Sequence, residues 1–153
     1  MRKINCNELD FVDQESAIKF VERNEIEVFS DDGDIDIALC YRSTKEQIKS
    51  NWKDISLQTA LYFQSNLKDE VIGRNMILVY MSQGDLDINV KKEIQSNTYC
   101  CRKIVRCNVD ETESEINELM LNNINGIYKE KHYNLKELIR INHPEVFSLI
   151  GEK

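Results

Sequence analysis

The run Met76-Ile-Leu-Val-Tyr-Met81 is the longest apolar stretch of the chain. Successive side chains of a β-strand point to opposite faces, so a strand with this sequence is apolar on both faces. Such a strand needs cover on each side. The run is also far shorter than the ~20 residues that a membrane-spanning helix requires. The segment therefore predicts a strand buried between two layers.

Residues 13–41 predict a helix followed by a hairpin. Asp13 can cap a helix that runs to about Asn24. Two alternating stretches, 25–30 and 35–41, then flank the turn sequence Asp-Asp-Gly-Asp. In the second stretch the alternation places four side chains on one face: Ile35, Ile37, Leu39 and Tyr41.

A long helix is predicted next. Ser43 and Glu46 have the spacing of a capping box, which marks a helix start. The apolar stripe that follows has helical spacing and continues through Phe63 and Leu67. Its members are Ile48, Trp52, Ile55, Thr59 and Tyr62.

Beyond the apolar run, the pattern predicts a helix from Gly84-Asp85, a strand over 101–107 and a helix that starts between Asp110 and Glu113. Two short helices, near 134–141 and 144–150, complete the chain. The order αββαβαβααα predicts an α/β (α+β) fold. We expect a single domain over 1–153, with a mixed sheet of about four to five strands flanked by helices.

Cysteine and charge content narrow the functional classes. The five cysteines are an odd number, which suits a reducing compartment, and we expect a cytoplasmic protein with no membrane association. The net charge of −7 argues against general nucleic-acid coating. The charge is uneven, because residues 8–36 and 110–118 are acidic while 37–109 carry eleven bases and seven acids.

Searches for catalytic patterns return no complete motif. No two of the five glycines lie close together, as a phosphate-binding loop requires. No lysine follows an acidic residue by two positions, which is the pairing of one class of metal-dependent nucleases. Cys100, Cys101 and Cys107 do not have the spacing of a zinc site. We expect no catalytic residues, metal or cofactor, with Asp36 left as the acid that a divergent nuclease would use.

Two basic segments are candidate partner- or phosphate-binding sites. Arg102 and Arg106 share one face of the predicted strand, and Lys103 points to the other. Two guanidinium groups on one face can bind a carboxylate or phosphate, although salt bridges to the acidic flanks would compete. Arg74-Asn75 precedes the apolar run and would either contact a partner or end a loop.

The stretch from about residue 52 to 105 resembles the middle component of bacterial ABC-three-component systems, which include Lamassu-type antiphage defence. Three pieces carry the likeness. They are the helix end at 62–69, Arg74-Asn75 running into the apolar strand, and the segment 92–105, which ends in Arg-Lys-Ile-Val.

The resemblance implies a non-enzymatic accessory subunit that bridges an SMC/Rad50-like ATPase and an effector, often a nuclease, with possible DNA contact through the complex. Two alternatives stay open from the residues. One is a divergent metal-dependent nuclease-like enzyme that uses Asp36, and the other is a DNA-binding module that uses the basic middle of the chain.

Overall fold

A computed structural model of the chain describes residues 1–31, 33 and 36–124. The chain divides into two compact units, Met1–Asn117 and Glu118–Lys153. Of the second unit, only the helical residues 118–124 are described. The helices predicted near 134–141 and 144–150 lie outside the described residues, as do Asp32, Asp34 and Ile35 of the predicted hairpin. A single domain over 1–153 stays a prediction.

The first unit contains a mixed sheet of five strands in the order β1-β2-β3-β4-β5. The strands are Arg2–Ile4 (β1), Glu27–Ser30 (β2), Ile37–Ser43 (β3), Ile77–Ser82 (β4) and Arg102–Cys107 (β5). β1, β2 and β3 pair antiparallel, whereas β3, β4 and β5 pair parallel. The predicted α/β fold with a mixed sheet is confirmed.

Five α-helices lie within the described residues. They are Gln14–Arg23 (α1), Lys45–Gln58 (α2), Glu70–Asn75 (α3), Ile88–Ser96 (α4) and Thr112–Ile124 (α5). No helix in this part of the chain has both the length and the apolar character needed to cross a bilayer. The sequence pattern missed β1 and α3, because elements of three and six residues are too short to show a clear period.

Side chains of β3 and β4 alternate between two buried clusters on the two faces of the sheet. The first cluster includes Ile37, Leu39, Tyr41, Leu78 and Tyr80, together with side chains of α1, α2 and α4. The second includes Ala38, Cys40, Val79 and Met81, together with Ile116 of α5. Burial of each large apolar side chain contributes ~1.5–3 kcal/mol. The prediction that the apolar run is a strand covered on both faces is confirmed.

The helix starts follow local capping chemistry. Asp13 caps α1 as predicted, and its side chain accepts a hydrogen bond from the Ser16 N–H at 3.1 Å. The predicted Ser43 capping box is wrong, since Ser43 pairs with Ser82 in the β3–β4 ladder and Thr44 caps α2 instead. The start predicted for α4 at Gly84-Asp85 is also early, because Asp87 is the cap.

A π-helical turn, Thr59–Phe63, continues α2. The Gln64 N–H reaches back to the Thr59 carbonyl, five residues earlier, so the turn holds one residue more than a regular α-helical turn. As a result Phe63 is fully buried while Tyr62 is 43% exposed. The predicted stripe is therefore correct through Thr59 and wrong at Tyr62.

Candidate functional site on the basic strand

The edge strand β5 positions the basic residues that the sequence singled out. It pairs with β4 on one side and ends the sheet within the described residues. Its Ile104 packs against the second cluster, whereas Val105 belongs to the first. The predicted alternation is confirmed, because Arg102 and Arg106 share the face of Ile104 and Lys103 points to the opposite face.

Arg102 is the exposed cation of this strand. It lies at the start of β5 and is the register partner of Ile77 in β4. Within the described ranges, no hydrogen bond or ion pair involves its guanidinium group. Arg102 therefore has its donors available for a carboxylate or phosphate from outside.

Arg106 is paired within the chain. Its Nε lies 3.2 Å from Glu115 Oε1 of α5, and both side chains are partly buried. Glu115 belongs to the acidic segment 110–118, so the competing salt bridge that the sequence left open exists at this position. The pair neutralises much of the positive charge of Arg106, and Arg102 becomes the dominant cation of the face.

Lys103 is buried rather than available at the surface. It is 3% exposed, and its ammonium group donates to three carbonyls of the preceding loop. The acceptors are Asn97 at 3.3 Å, Cys101 at 3.2 Å and Tyr99. Burial lowers the pKa of Lys103. Strand alternation predicted that Lys103 lies on the face opposite Arg102 and Arg106. It did not predict that Lys103 is buried, because burial depends on how the preceding loop folds over the side chain.

Arg74 and Asn75 are the last two residues of α3, so the interpretation that they end a loop is wrong. Arg74 forms an exposed ion pair with Glu70, one turn earlier, at 3.2 Å. Exposed pairs of this type contribute little to stability. Arg74 therefore lies at the surface and can exchange Glu70 for another carboxylate.

Gln64 links the first and third pieces of sequence that carried the resemblance and contacts the residue just before the second. Its side-chain amide donates to the carbonyls of Gly73, at 2.9 Å, and Cys100, at 3.4 Å. Gly73 directly precedes Arg74, and Cys100 lies just before Arg102. The sequence analysis missed this role, although Gln64 lies within the first piece. The motif therefore positions the end of α3 against the loop that leads into β5.

Asp36 lies beside the hairpin turn, away from any cluster of acids that binds a metal. Its backbone N–H donates to Asp31 Oδ1 at 3.0 Å, and its carbonyl accepts from the Asp31 N–H. Across residues 1–31, 33 and 36–124, no three His, Cys, Asp or Glu side chains are grouped as metal ligands. Both histidines, at 132 and 143, are outside these ranges.

All five cysteines are free thiols, and three of them are buried: Cys6, Cys40 and Cys101. Burial raises the pKa of Cys6 to about 11 and raises the pKa of Cys40 further. Cys100 Sγ lies 3.6 Å from Cys101 Sγ, and this contact lowers the pKa of the Cys100 thiol. The buried cysteines act as small core side chains.

A comparison with protein families places these features in context. The family described as "ABC-three component (ABC-3C) system Middle Component 1" matches residues 36–133, which is more than half of the chain. The match begins at β3 and includes the basic strand and α5. No curated protein and no solved structure matches the chain.

Proposed function

Because the chain belongs to the Middle Component 1 family of ABC-three component systems, we propose that it is a non-catalytic accessory subunit of a bacterial antiphage defence complex. It connects an SMC/Rad50-like ATPase to an effector, often a nuclease, in a Lamassu-like system in the cytoplasm. The family match over 36–133 carries the proposal, since a middle component implies partner subunits.

The basic strand supports a role in partner contact. Arg102 is exposed at the start of β5, and Arg106 lies four residues further along on the same face. Planar guanidinium groups bind carboxylates through two parallel hydrogen bonds, which gives both affinity and orientation. Arg102 therefore binds an acidic side chain of a partner, while Glu115 holds Arg106 at the edge of the contact.

Co-expression with the ATPase and effector encoded beside this chain tests the proposal. We expect a tagged chain to purify in a complex with both. Arg102→Ala should weaken the complex about tenfold, which corresponds to ~1.4 kcal/mol. Lys92→Ala, at an exposed position of α4, serves as the matched control and should bind as the wild type does. Recovery of a clean monomer in the presence of both partners would refute the proposal.

The absence of catalysis is part of the same proposal and has its own test. The isolated chain is incubated with DNA and Mg²⁺ or Mn²⁺, and we expect no cleavage. Cleavage that disappears in Asp36→Ala would establish a nuclease and overturn the accessory role.

A further inference from the structure

A second surface lies on the outer side of α1 and the π-helical turn. Val12 is 74% exposed and Leu61 is 54% exposed, and the half-exposed Tyr62 lies between them and α1. Two cavities lie here, of about 350 Å³ and about 190 Å³, and both are lined by Ser16 and Tyr62. We call the surface that these two neighbouring cavities line the Leu61 groove.

The wall that carries Val12 is held rigidly by Asn66. The Val12 N–H donates to the Asn66 carbonyl at 2.8 Å, and the Asp13 N–H donates to Asn66 Oδ1 at 2.7 Å. The Asn66 amide returns a hydrogen bond to the Asp13 carbonyl at 2.6 Å. Val12 is thus fixed with its side chain in solvent. A groove that is already ordered loses little conformational entropy when a partner binds.

The opposite wall is a product of the π-helical turn. The extra residue of this turn directs Phe63 into the core and leaves Leu61 and Tyr62 at the surface. Tyr62 packs on Phe20 of α1 with a ring-centroid distance of 6.3 Å, and this aromatic pair forms the floor between the two cavities. Leu57, also exposed, lies one turn before Leu61 and extends the apolar stripe. Single π-helical turns are frequent at functional sites.

Charge at the groove is asymmetric. Lys19 and Arg23, one turn apart on α1, line the smaller cavity. Lys19 is paired with Glu15, whereas Arg23 is exposed and has no ion pair with any residue in the described ranges. At the other end, both carboxylate oxygens of Asp13 accept hydrogen bonds from Ser16. These hydrogen bonds leave the Asp13 carboxylate charged, so this end of the groove is anionic and the end at Arg23 is cationic.

These features define the occupant. One wall is α1 with the Val12-Asp13 segment before it, and the other is the π-helical turn. The Val12 and Asp13 N–H groups are bonded to Asn66, so the groove presents side chains rather than a free strand edge. Apolar grooves of this kind bind the apolar face of an amphipathic helix. Resting on the accessory role above, we propose that the Leu61 groove docks an amphipathic helix of a partner subunit. This helix places apolar residues on Leu61 and Tyr62 and an acidic residue beside Arg23.

The position of the groove suits a connecting subunit. Phe20 and Phe63, beneath the groove, belong to the first buried cluster. Ile104, on the face of Arg102, packs against the second cluster on the other side of the sheet. The two surfaces therefore lie on opposite layers of the first unit. Each surface can therefore contact a different partner.

Quantitative co-purification with the same two partner subunits tests the groove. Leu61→Asp places a charge in the apolar stripe and should reduce recovery of one partner at least tenfold while the other stays bound. Val71→Asp, at an exposed apolar position of α3, is the matched control and should have no effect. Arg23→Gln should weaken the same contact severalfold and reduce its salt dependence. In the wild-type complex, amide hydrogen exchange of residues 57–66 should slow.

The outcomes separate this inference from the function on which it rests. If both partners bind Leu61→Asp as tightly as the wild type, the groove is not the docking site and the accessory role stands. If the wild type binds neither partner, both proposals fail. If the free wild type sediments as a dimer and Leu61→Asp as a monomer, the occupant is a second copy of the chain and the partner-helix assignment is wrong.

Discussion

Arg106 Nε lies 3.2 Å from Glu115 Oε1, and this ion pair ties the edge strand β5 to the start of α5. The two residues come from segments of opposite charge in the sequence, one from the basic middle and one from the acidic 110–118 stretch. Because Arg106 is paired, Arg102 is the cation on this face of β5 whose N–H groups are available to a ligand. The ion pair thus distinguishes Arg106 from Arg102, the arginine that we propose for partner contact.

The energetic weight of that pair is measurable. Glu115→Gln removes the charge and keeps a hydrogen-bond acceptor, and both side chains are partly exposed. We expect the free energy of unfolding to fall by ~0.5–1 kcal/mol, as for other partly exposed ion pairs. Urea denaturation at low and high salt provides the measurement, and the difference should shrink at high salt. A loss above ~2 kcal/mol would mean that the pair has a larger structural role.

The π-helical turn predicts opposite effects for two neighbouring aromatic residues. Phe63 is fully buried and packs edge-on against Phe11 with a centroid distance of 5.0 Å. Phe63→Ala should lower the free energy of unfolding by ~3–5 kcal/mol, because it leaves a cavity. Tyr62→Ala should lower it by less than ~1 kcal/mol. Thermal or urea unfolding of both variants shows which of the two aromatic side chains is buried. A larger loss of stability for Tyr62→Ala would contradict the π-helical turn.

Lys103 is expected to stabilise the loop that precedes β5. Lys103→Met keeps the aliphatic stem but leaves the carbonyls of Asn97, Tyr99 and Cys101 without their common donor. We expect a loss of ~1–3 kcal/mol in the free energy of unfolding, the usual effect of unpaired buried polar groups. Lys92→Met, on the exposed side of α4, should change it by less than ~0.5 kcal/mol. Equal effects in the two variants would refute the structural role.

Asp13 predicts a pH dependence of stability. Hydrogen bonds from the Ser16 hydroxyl and N–H hold the pKa of Asp13 below its usual value of 3.8. A lowered pKa in the folded state means that the charged form stabilises the fold above that usual value. This contribution is lost as the pH falls through the folded-state pKa.

Substitution at this helix cap checks the sign of the effect. Asp13→Asn keeps a capping side chain but does not titrate. Thermal unfolding followed from pH 7 to pH 2 should therefore show a gap between wild type and variant that narrows below about pH 4. Ser16→Ala, which removes the hydroxyl donor, should also reduce the acid sensitivity. A gap that widens toward low pH would contradict the assignment.

Much of the fold followed from local patterns. The alternation of Ile37, Leu39 and Tyr41, the apolar run of β4 and the Asp13 cap all depend on interactions between residues close in sequence. The predictions were wrong at residues whose local sequence is compatible with two different structural positions. Ser43 has the spacing of a helix cap, but pairing with Ser82 of a distant strand kept it in β3. Tyr62 has helical spacing, but the π-helical turn rotated it out of the core.

The candidate sites divide in the same way. The sequence determined by itself that β5 is a strand and that Arg102 and Arg106 share a face, because side-chain alternation is a property of any extended backbone. Only the tertiary structure decided that Lys103 is buried, that Glu115 occupies Arg106 and that Val12 meets Leu61 in a groove. These outcomes depend on contacts between segments far apart in the chain, which no local period encodes.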